Sequence, residues 1–380
     1  KYVVLFISIQ MCKKNVKKFY SIGLMSGTSM DGIDASLIET DGIEIYNFLN
    51  HCSIEYPKDI KIKIKEVSEQ FNERNVNWRN CNQLKKSLGF INHLAVKAIL
   101  DANKDSSVKL DLIGYHGQTV YHSPENNISV QLGDPRYLSN ITDIPVIFNF
   151  RMCDILNGGQ GAPLTPIYHS ARFSKAFNEP IAILNMGGIS NITYLDDKEI
   201  MAFDTGPGNC LIDDAMYSHF SKNYDNHGQL ASLGDVNTRL LDVLTSDEFF
   251  NIKPPKSLDR NYFNKYLKYN EMAPKDLVST LSYFTASSIV HALKYLPKNT
   301  SKIIICGGGS KNKYIIDKIS ELSKKDVIIS DDIGMNSKYI ESEAFAYLAV
   351  RCLLNYNISY PKTTGVQTPI SGGSIFRPID

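Results

Sequence analysis

Two stretches of the chain carry one pattern of apolar and polar positions. Ser21 to Met25 (SIGLM) reads as a strand, and Ser26-Gly27-Thr28-Ser29-Met30-Asp31-Gly32 as a small, polar, glycine-punctuated loop. Ile33 to Thr40 then carries apolar Ile33, Ala35 and Leu37 in alternation, and Asp41-Gly42 is a hairpin turn before Ile43 to Leu49. Half the chain later the pattern returns: Ile181 to Met186 (IAILNM), Gly187-Gly188-Ile189-Ser190, Asn191 to Leu195, a polar turn from Asp196 to Glu199, and Ile200 to Asp204. Such an echo predicts two related α/β units, each presenting a glycine loop to a shared cleft, although two similar hairpins also arise by chance.

Val108 to Tyr115 and Lys302 to Cys306 read as buried strands ending in polar or glycine-rich turns, where α/β ligand sites form. Leu84 to Leu100 and Leu277 to Leu296 have helical spacing, Glu343 to Leu354 reads as a buried helix, and Thr363 to Asp380 as an ordered loop or tail.

Composition narrows the classes. With 380 residues, 43% of them hydrophobic, the chain is too long for one ordinary core and too apolar for disorder. Lys+Arg 41 against Asp+Glu 40 leaves a charge of +1, no field for holding a polyanion, so nucleic acid is excluded as a main partner. The apolar run Tyr2 to Ile9 falls far short of the roughly 18 residues of a membrane span. Lysines 13, 14, 17 and 18 follow it with no cleavage site, so residues 1–19 read as an extension, neither signal peptide nor membrane anchor. Cysteines at 12, 52, 81, 153, 210, 306 and 352 form no Cys-x-x-Cys pair, which indicates neither zinc nor a disulfide framework and fits a reducing, cytoplasmic setting.

Several loops carry candidate chemistry. In residues 26–34 glycines let backbone N–H groups close on a phosphate, and Asp31 or Asp34 suits a divalent cation that comes with it; an ordinary hairpin loop is the plainer reading. Phe203-Asp204-Thr205-Gly206-Pro207-Gly208-Asn209 puts an acid at a strand end before a rigid turn, making Asp204 the best general-base candidate, unless it only accepts turn amides. Gly307-Gly308-Gly309 leaves bare backbone for a flat ring, or only a tight turn. His116 and Gln118, with His122 nearby, and Gln160 within Gly158 to Pro163 are planar, multi-donor side chains of the kind sugars need. Arg151 suits a carboxylate fork, or a salt bridge.

Gly23 to Gly32, Gly114 to Thr119, Gly158 to Pro163, Asn185 to Asn191, Phe203 to Asn209 and Gly307 to Gly309 resemble, in order, the motifs of the anhydro-N-acetylmuramic acid kinases. The resemblance runs from about residue 20 to the end. It implies the duplicated actin-like (ribonuclease H-like) two-domain α/β fold of the actin, sugar kinase and Hsp70 ATPase superfamily, with an interdomain cleft. The expected division is a first domain over 20–150 joined by 355–380, and a second over 151–354.

The resemblance further implies ATP and Mg²⁺, with phosphates cradled by Gly27, Thr28, Ser29, Met30, Asp31, Gly32, Ile33 and Asp34; the turn at Gly206, Gly208 and Asn209, whose amides can contact phosphate, and Gly307, Gly308 and Gly309 add nucleotide contacts. Asp204 is then the catalytic base and Glu341 lies near the sugar, and the residue types add Asp31 as a metal ligand and His116, Gln118, Arg151 and Gln160 as sugar contacts. Asn149 stands where the family usually has Asp, one charge fewer. The implied reaction takes 1,6-anhydro-N-acetylmuramic acid, ATP and water to N-acetylmuramic acid 6-phosphate and ADP, in cell-wall recycling, and a homodimer is a family expectation. A plain sugar or carboxylate kinase, or an ATP-regulated binding module, are the rival readings.

Overall fold

The computed structural model describes residues 16–27, 30–104, 106–174, 176–196, 199–266 and 272–379. The expected extension up to residue 15, Thr28 and Ser29 of the phosphate loop, and Asp197-Lys198 of the polar turn lie outside the described residues.

The first hairpin unit forms as β1 (Phe19–Ser26), β2 (Gly32–Thr40) and β3 (Ile45–Glu55). Helices α1 (Lys58–Asn72) and α2 (Trp78–Ala102) cover it, and β4 (Leu112–Ser123), β5 (Ile128–Leu132), α3 (Pro135–Thr142) and β6 (Val146–Phe148) follow. After α4 (Met152–Leu156) and α5 (Pro166–Phe173) come β7 (Ile181–Met186), β8 (Ile189–Asp196) and β9 (Glu199–Pro207). The chain continues through α6 (Cys210–Phe220), α7 (Thr238–Thr245), α8 (Pro274–Ala292), β10 (Lys302–Cys306), α9 (Lys313–Ser323), β11 (Asp326–Ile329) and α10 (Ile340–Leu353) to β12 (Ser374–Phe376).

The strands build two sheets, ordered β12-β6-β4-β1-β2-β3, with β5 beside β4, and β11-β10-β7-β8-β9. Leaving out β12 and β5, strand order and direction coincide. β1 pairs antiparallel with β2 and parallel with β4, as β7 does with β8 and β10. The outer strands pair alike: β2·β3 and β8·β9 are antiparallel, β4·β6 and β10·β11 parallel. β7 is buried on both faces, which is why its sequence is an unbroken apolar run rather than an alternating one.

The expected strand over Val108 to Tyr115 instead starts at Leu112 and runs on to Ser123, so His116, Gln118 and His122 lie within β4 rather than after it. Gly117, at φ +80°, takes up the irregularity there. The C-terminal segment carries β12, which pairs antiparallel with β6.

Helix α10 is buried almost all round because it serves both sheets. Ala344 and Tyr347 pack with Ile183 and Ile304, while Phe345 and Ala349 pack with Leu112 and Ile147. Its backbone touches β1 and β4: a Cβ on Gly23 would sit 1.9 Å from the Ser342 carbonyl oxygen, and one on Gly114 2.2 Å from that of Phe345. Only glycine permits that approach.

Candidate active site

Asp204 sits inside β9, opposite Asn191 of β8, and is only 7% exposed. Its backbone N–H donates to the Lys256 carbonyl (3.0 Å), and its Oδ2 accepts from the Leu258 amide (2.8 Å). Oδ1 has no partner among the described residues. Burial pushes the carboxyl up to about 7, against the opposing pull of the Leu258 amide, Arg151 and Lys256. A carboxylate poised near neutrality with one oxygen held and the other open is built to accept a proton.

Arg151, just before α4, is half-buried and held on two sides. Its Nε donates to Nε2 of His116 (3.0 Å) and its Nη1 to the Gly161 carbonyl (2.6 Å). His116 is buried, with Nδ1 against the Gly117 carbonyl (2.7 Å). Both ring nitrogens are therefore occupied, and burial together with the neighbouring guanidinium holds the imidazole neutral, well below the usual range. The Gly161 loop is tied down by buried Asp154, whose Oδ1 accepts from the Gly161 N–H (2.6 Å) and Oδ2 from Thr364 Oγ1 (2.5 Å). Gln160 lies in that loop, its Oε1 accepting from Ser257 Oγ (2.8 Å). His122 is spent on Ser129 Oγ and the Gln160 carbonyl.

Gln118 is placed differently from a sugar contact. Its Oε1 accepts from Ser26 Oγ (2.5 Å) and its Nε2 donates to the Gly27 carbonyl (3.2 Å). With Tyr56, whose hydroxyl meets Ser26 Oγ at 2.7 Å, it anchors the start of the glycine loop. The loop resumes at Met30, in the left-handed region (φ 57°) with its N–H bonded to the Gly27 carbonyl (3.2 Å), and feeds Gly32 and Ile33 into β2.

The turn that follows β9 spends its amides within the protein. Gly208 and Asn209 were expected to offer backbone amides to phosphate, but those N–H groups donate to the Gly188 and Gly187 carbonyls, both at 2.9 Å. The Asn209 side chain also turns to Gly187 (3.1 Å). The two turns are thus knitted together, and a Cβ on Gly208 would lie 2.3 Å from the Gly187 oxygen. The amides left without partners among the described residues belong to Gly187 and Gly188. Gly206, at φ +151°, packs on Ser288. Gly307 and Gly309 press on Asn185 and Met186, whereas a Cβ on Gly308 would meet nothing within 4 Å.

Glu341, at the start of α10, accepts from Asn185 Nδ2 (3.1 Å) at the end of β7. Burial raises its pKa, with Arg151 pulling it down and Asp34 up. Asp34 accepts from Ser53 and lies 3.8 Å from Lys338 Nζ. Asp31, its side chain 71% exposed, lies 3.6 Å from Lys61 Nζ. Asp213, in the first turn of α6, is pushed up to about 7 by burial, Arg260 lowering and Asp214 and Asp31 raising it. Among the described residues no three His, Cys, Asp or Glu side chains converge as a closed metal cage. The hard oxygens of Asp213, whose carboxyl the nearby Asp31 charge helps to raise, and of Asp31 are of the kind that would suit a Mg²⁺ arriving with phosphate.

The sequence motifs missed the stretch Lys256-Ser257-Leu258, which bonds to Asp204 and Gln160. Its one signal is Pro254-Pro255, which marks a turn and says nothing of what the turn faces. Asn149, where an Asp was expected, adopts φ 58°, a left-handed conformation that Asn and Asp both tolerate.

Two sheets of one strand order, each with a glycine loop at its first hairpin and the second with a buried carboxylate on β9, define an α/β protein. The sequence profile of the family described as "Anhydro-N-acetylmuramic acid kinase" matches residues 19–378. A protein of that name from Zymomonas mobilis is 40% identical over 367 residues, covering 93% of this chain and 99% of its own. Another from Bradyrhizobium diazoefficiens is 38% identical over 364 residues, covering 94% and 99%. The chain belongs to the anhydro-N-acetylmuramic acid kinase family. Among the described residues no helix is long and apolar enough to cross a membrane.

Proposed function

We propose that the chain opens the 1,6-anhydro bridge of 1,6-anhydro-N-acetylmuramic acid with water and phosphorylates O6 from ATP, giving N-acetylmuramic acid 6-phosphate and ADP. Family membership supports the substrate, and the observation that carries the mechanism is Asp204, buried, with one oxygen open and its pKa near 7. The two sheets are the cores of duplicated actin-like halves with the reaction in the cleft between them. Residues 20–150 with 355–380 form one half and 151–354 the other, and α10 is the shared wall.

Asp204 takes a proton from water as the water oxygen bonds to C1, on the face opposite O6. The C1–O6 bond breaks, O6 bonds to the γ-phosphorus, and the bond from that phosphorus to ADP breaks. No acid is needed for O6, because the phosphoryl group captures it; the proton leaves from Asp204 to solvent. This is the water-activating half of an inverting glycosidase joined to a phosphoryl transfer. Arg151 and Gln160 hold the sugar, with Glu341 beside them, and His116 keeps Arg151 in place. Residues 27–34 and the amides of Gly187 and Gly188 cradle the phosphates, a task that passes from Gly208 and Asn209, while Gly308 is bare backbone for the adenine. Asp31 and Asp213 would hold Mg²⁺, which when bound offsets the charge of the transferring phosphoryl group.

Mass spectrometry of the product formed in ¹⁸O water tests the reading. One ¹⁸O at C1 of a phosphorylated sugar, absent with Asp204→Asn, is the expected result. Phosphorylation of an intact hydroxyl without solvent oxygen would instead mark a plain sugar kinase.

A further inference from the structure

The stretch Pro254 to Leu258 touches both sides of the site. Lys256 anchors it: this buried side chain donates from Nζ to the Phe249 carbonyl (2.9 Å) and lies 4.2 Å from the centroid of the Phe249 ring. On one side of Ser257 the Lys256 carbonyl takes the Asp204 N–H, and on the other the Leu258 amide donates to Asp204 Oδ2. Between these two bonds Ser257 Oγ donates to Gln160 Oε1 at 2.8 Å. The Gln160 main chain is already fixed, its N–H on the Thr364 carbonyl (2.6 Å) and its carbonyl facing His122 Nε2 (3.0 Å). With Oε1 occupied, the Gln160 carboxamide keeps its Nε2 donors without a protein partner among the described residues.

We propose that Ser257 is a positioning residue: its hydroxyl fixes the Gln160 carboxamide so that the N–H groups face an acceptor oxygen of the sugar, and so registers the sugar-holding loop against the base. The proposal rests on the sugar kinase reading above. A side chain flanked on both sides by hydrogen bonds to Asp204 then ties substrate position to base position through one short strap. An amide free to turn would offer its donors only part of the time, so the loss of Ser257 appears as weaker sugar binding rather than a changed chemical step.

The test compares Ser257→Ala, Ser257→Thr, Gln160→Ala and the double variant with wild type, reading kcat, both KM values and calorimetric affinity for the anhydro sugar. Ser257→Ala is expected to raise the sugar KM and Kd about tenfold while the ATP KM stays within about twofold. Ser257→Thr restores the sugar affinity, and the double variant loses no more than Gln160→Ala alone. A Ser257→Ala enzyme within twofold of wild type, additive losses, or a loss confined to kcat with a moved acid limb overturns the proposal. A wild type that neither binds nor turns over the sugar overturns the underlying reading as well, whereas active wild type with a silent Ser257→Ala overturns only this inference.

Discussion

Arg151 is oriented by a neutral histidine: its Nε donates at 3.0 Å to His116 Nε2, and the imidazole keeps its Nδ1 against the Gly117 carbonyl at 2.7 Å. A guanidinium next to an imidazole is an unusual pairing, because a protonated ring would repel it. Burial resolves the conflict by holding His116 well below its ordinary pKa, so that the ring accepts rather than competes.

His116→Phe retains the ring contact with Phe345, whose centroid is 4.5 Å away, and removes the acceptor. The sugar KM should rise about tenfold or more, since hydrogen bonds to charged groups are worth ~1.5–3 kcal/mol. Steady-state kinetics at several pH values check this. His116 contributes no limb of its own, so the pH profile should keep its shape.

Asp204 must be ionised to take the proton, and its carboxyl is pushed up to about 7. Hence kcat/KM should fall with slope one as pH drops through that value. Asp204→Asn should lower kcat by ~10²–10⁴-fold and abolish the limb, with ATP affinity unchanged by isothermal titration. A variant with near-normal kcat would remove Asp204 from the role.

The same raised value makes Asp204 a liability to the fold. Between the unfolded value of 3.8 and about 7, the folded chain binds more protons at this residue than the unfolded one. Its contribution to stability is present below pH 4 and is lost as pH rises through about 7. The whole-protein profile does not isolate this effect, because buried His122 and His169, held down to about 4 and about 3, act in the opposite sense. The difference in Tm between Asp204→Asn and wild type does isolate it, and should grow in favour of the variant from pH 5 to pH 8.

Gly308 separates a binding role from a folding one. An alanine there meets nothing within 4 Å, so Tm should stay within about 1 °C of wild type. If the adenine lies against that backbone, Gly308→Val should raise the ATP KM about tenfold and leave the sugar KM alone. Unchanged ATP kinetics would place the base elsewhere.

The paired hairpins were legible because each strand has its own apolar signature, and β7 and β10 match their expected ranges. Helix α1 was not: Ile60, Ile62 and Ile64 alternate with lysines as a strand would, yet only Ile60 and Ile64 are buried and Ile62 is 59% exposed. At the site, glycine loops and Asp204 announce themselves locally. Which amides remain available does not, because that depends on the meeting of Gly187-Gly188 with Gly208-Asn209. Gln118 reads as a sugar ligand by type, and only the fold shows its amide turned back on Ser26 and Gly27. Ser257 acquires meaning solely from Gln160, far away in sequence.

The glycines at 23 and 114 leave no slack between α10 and the first sheet, since a single methyl group at either would collide with the helix backbone. Glu341 stands at the head of that helix, so the seating of α10 on the first sheet fixes where its carboxylate lies. Asn185, which bonds it at 3.1 Å, belongs to β7 of the second sheet. The Glu341–Asn185 bond thus ties the second sheet to a helix that cannot slide on the first, so a shift of one sheet against the other has to strain it.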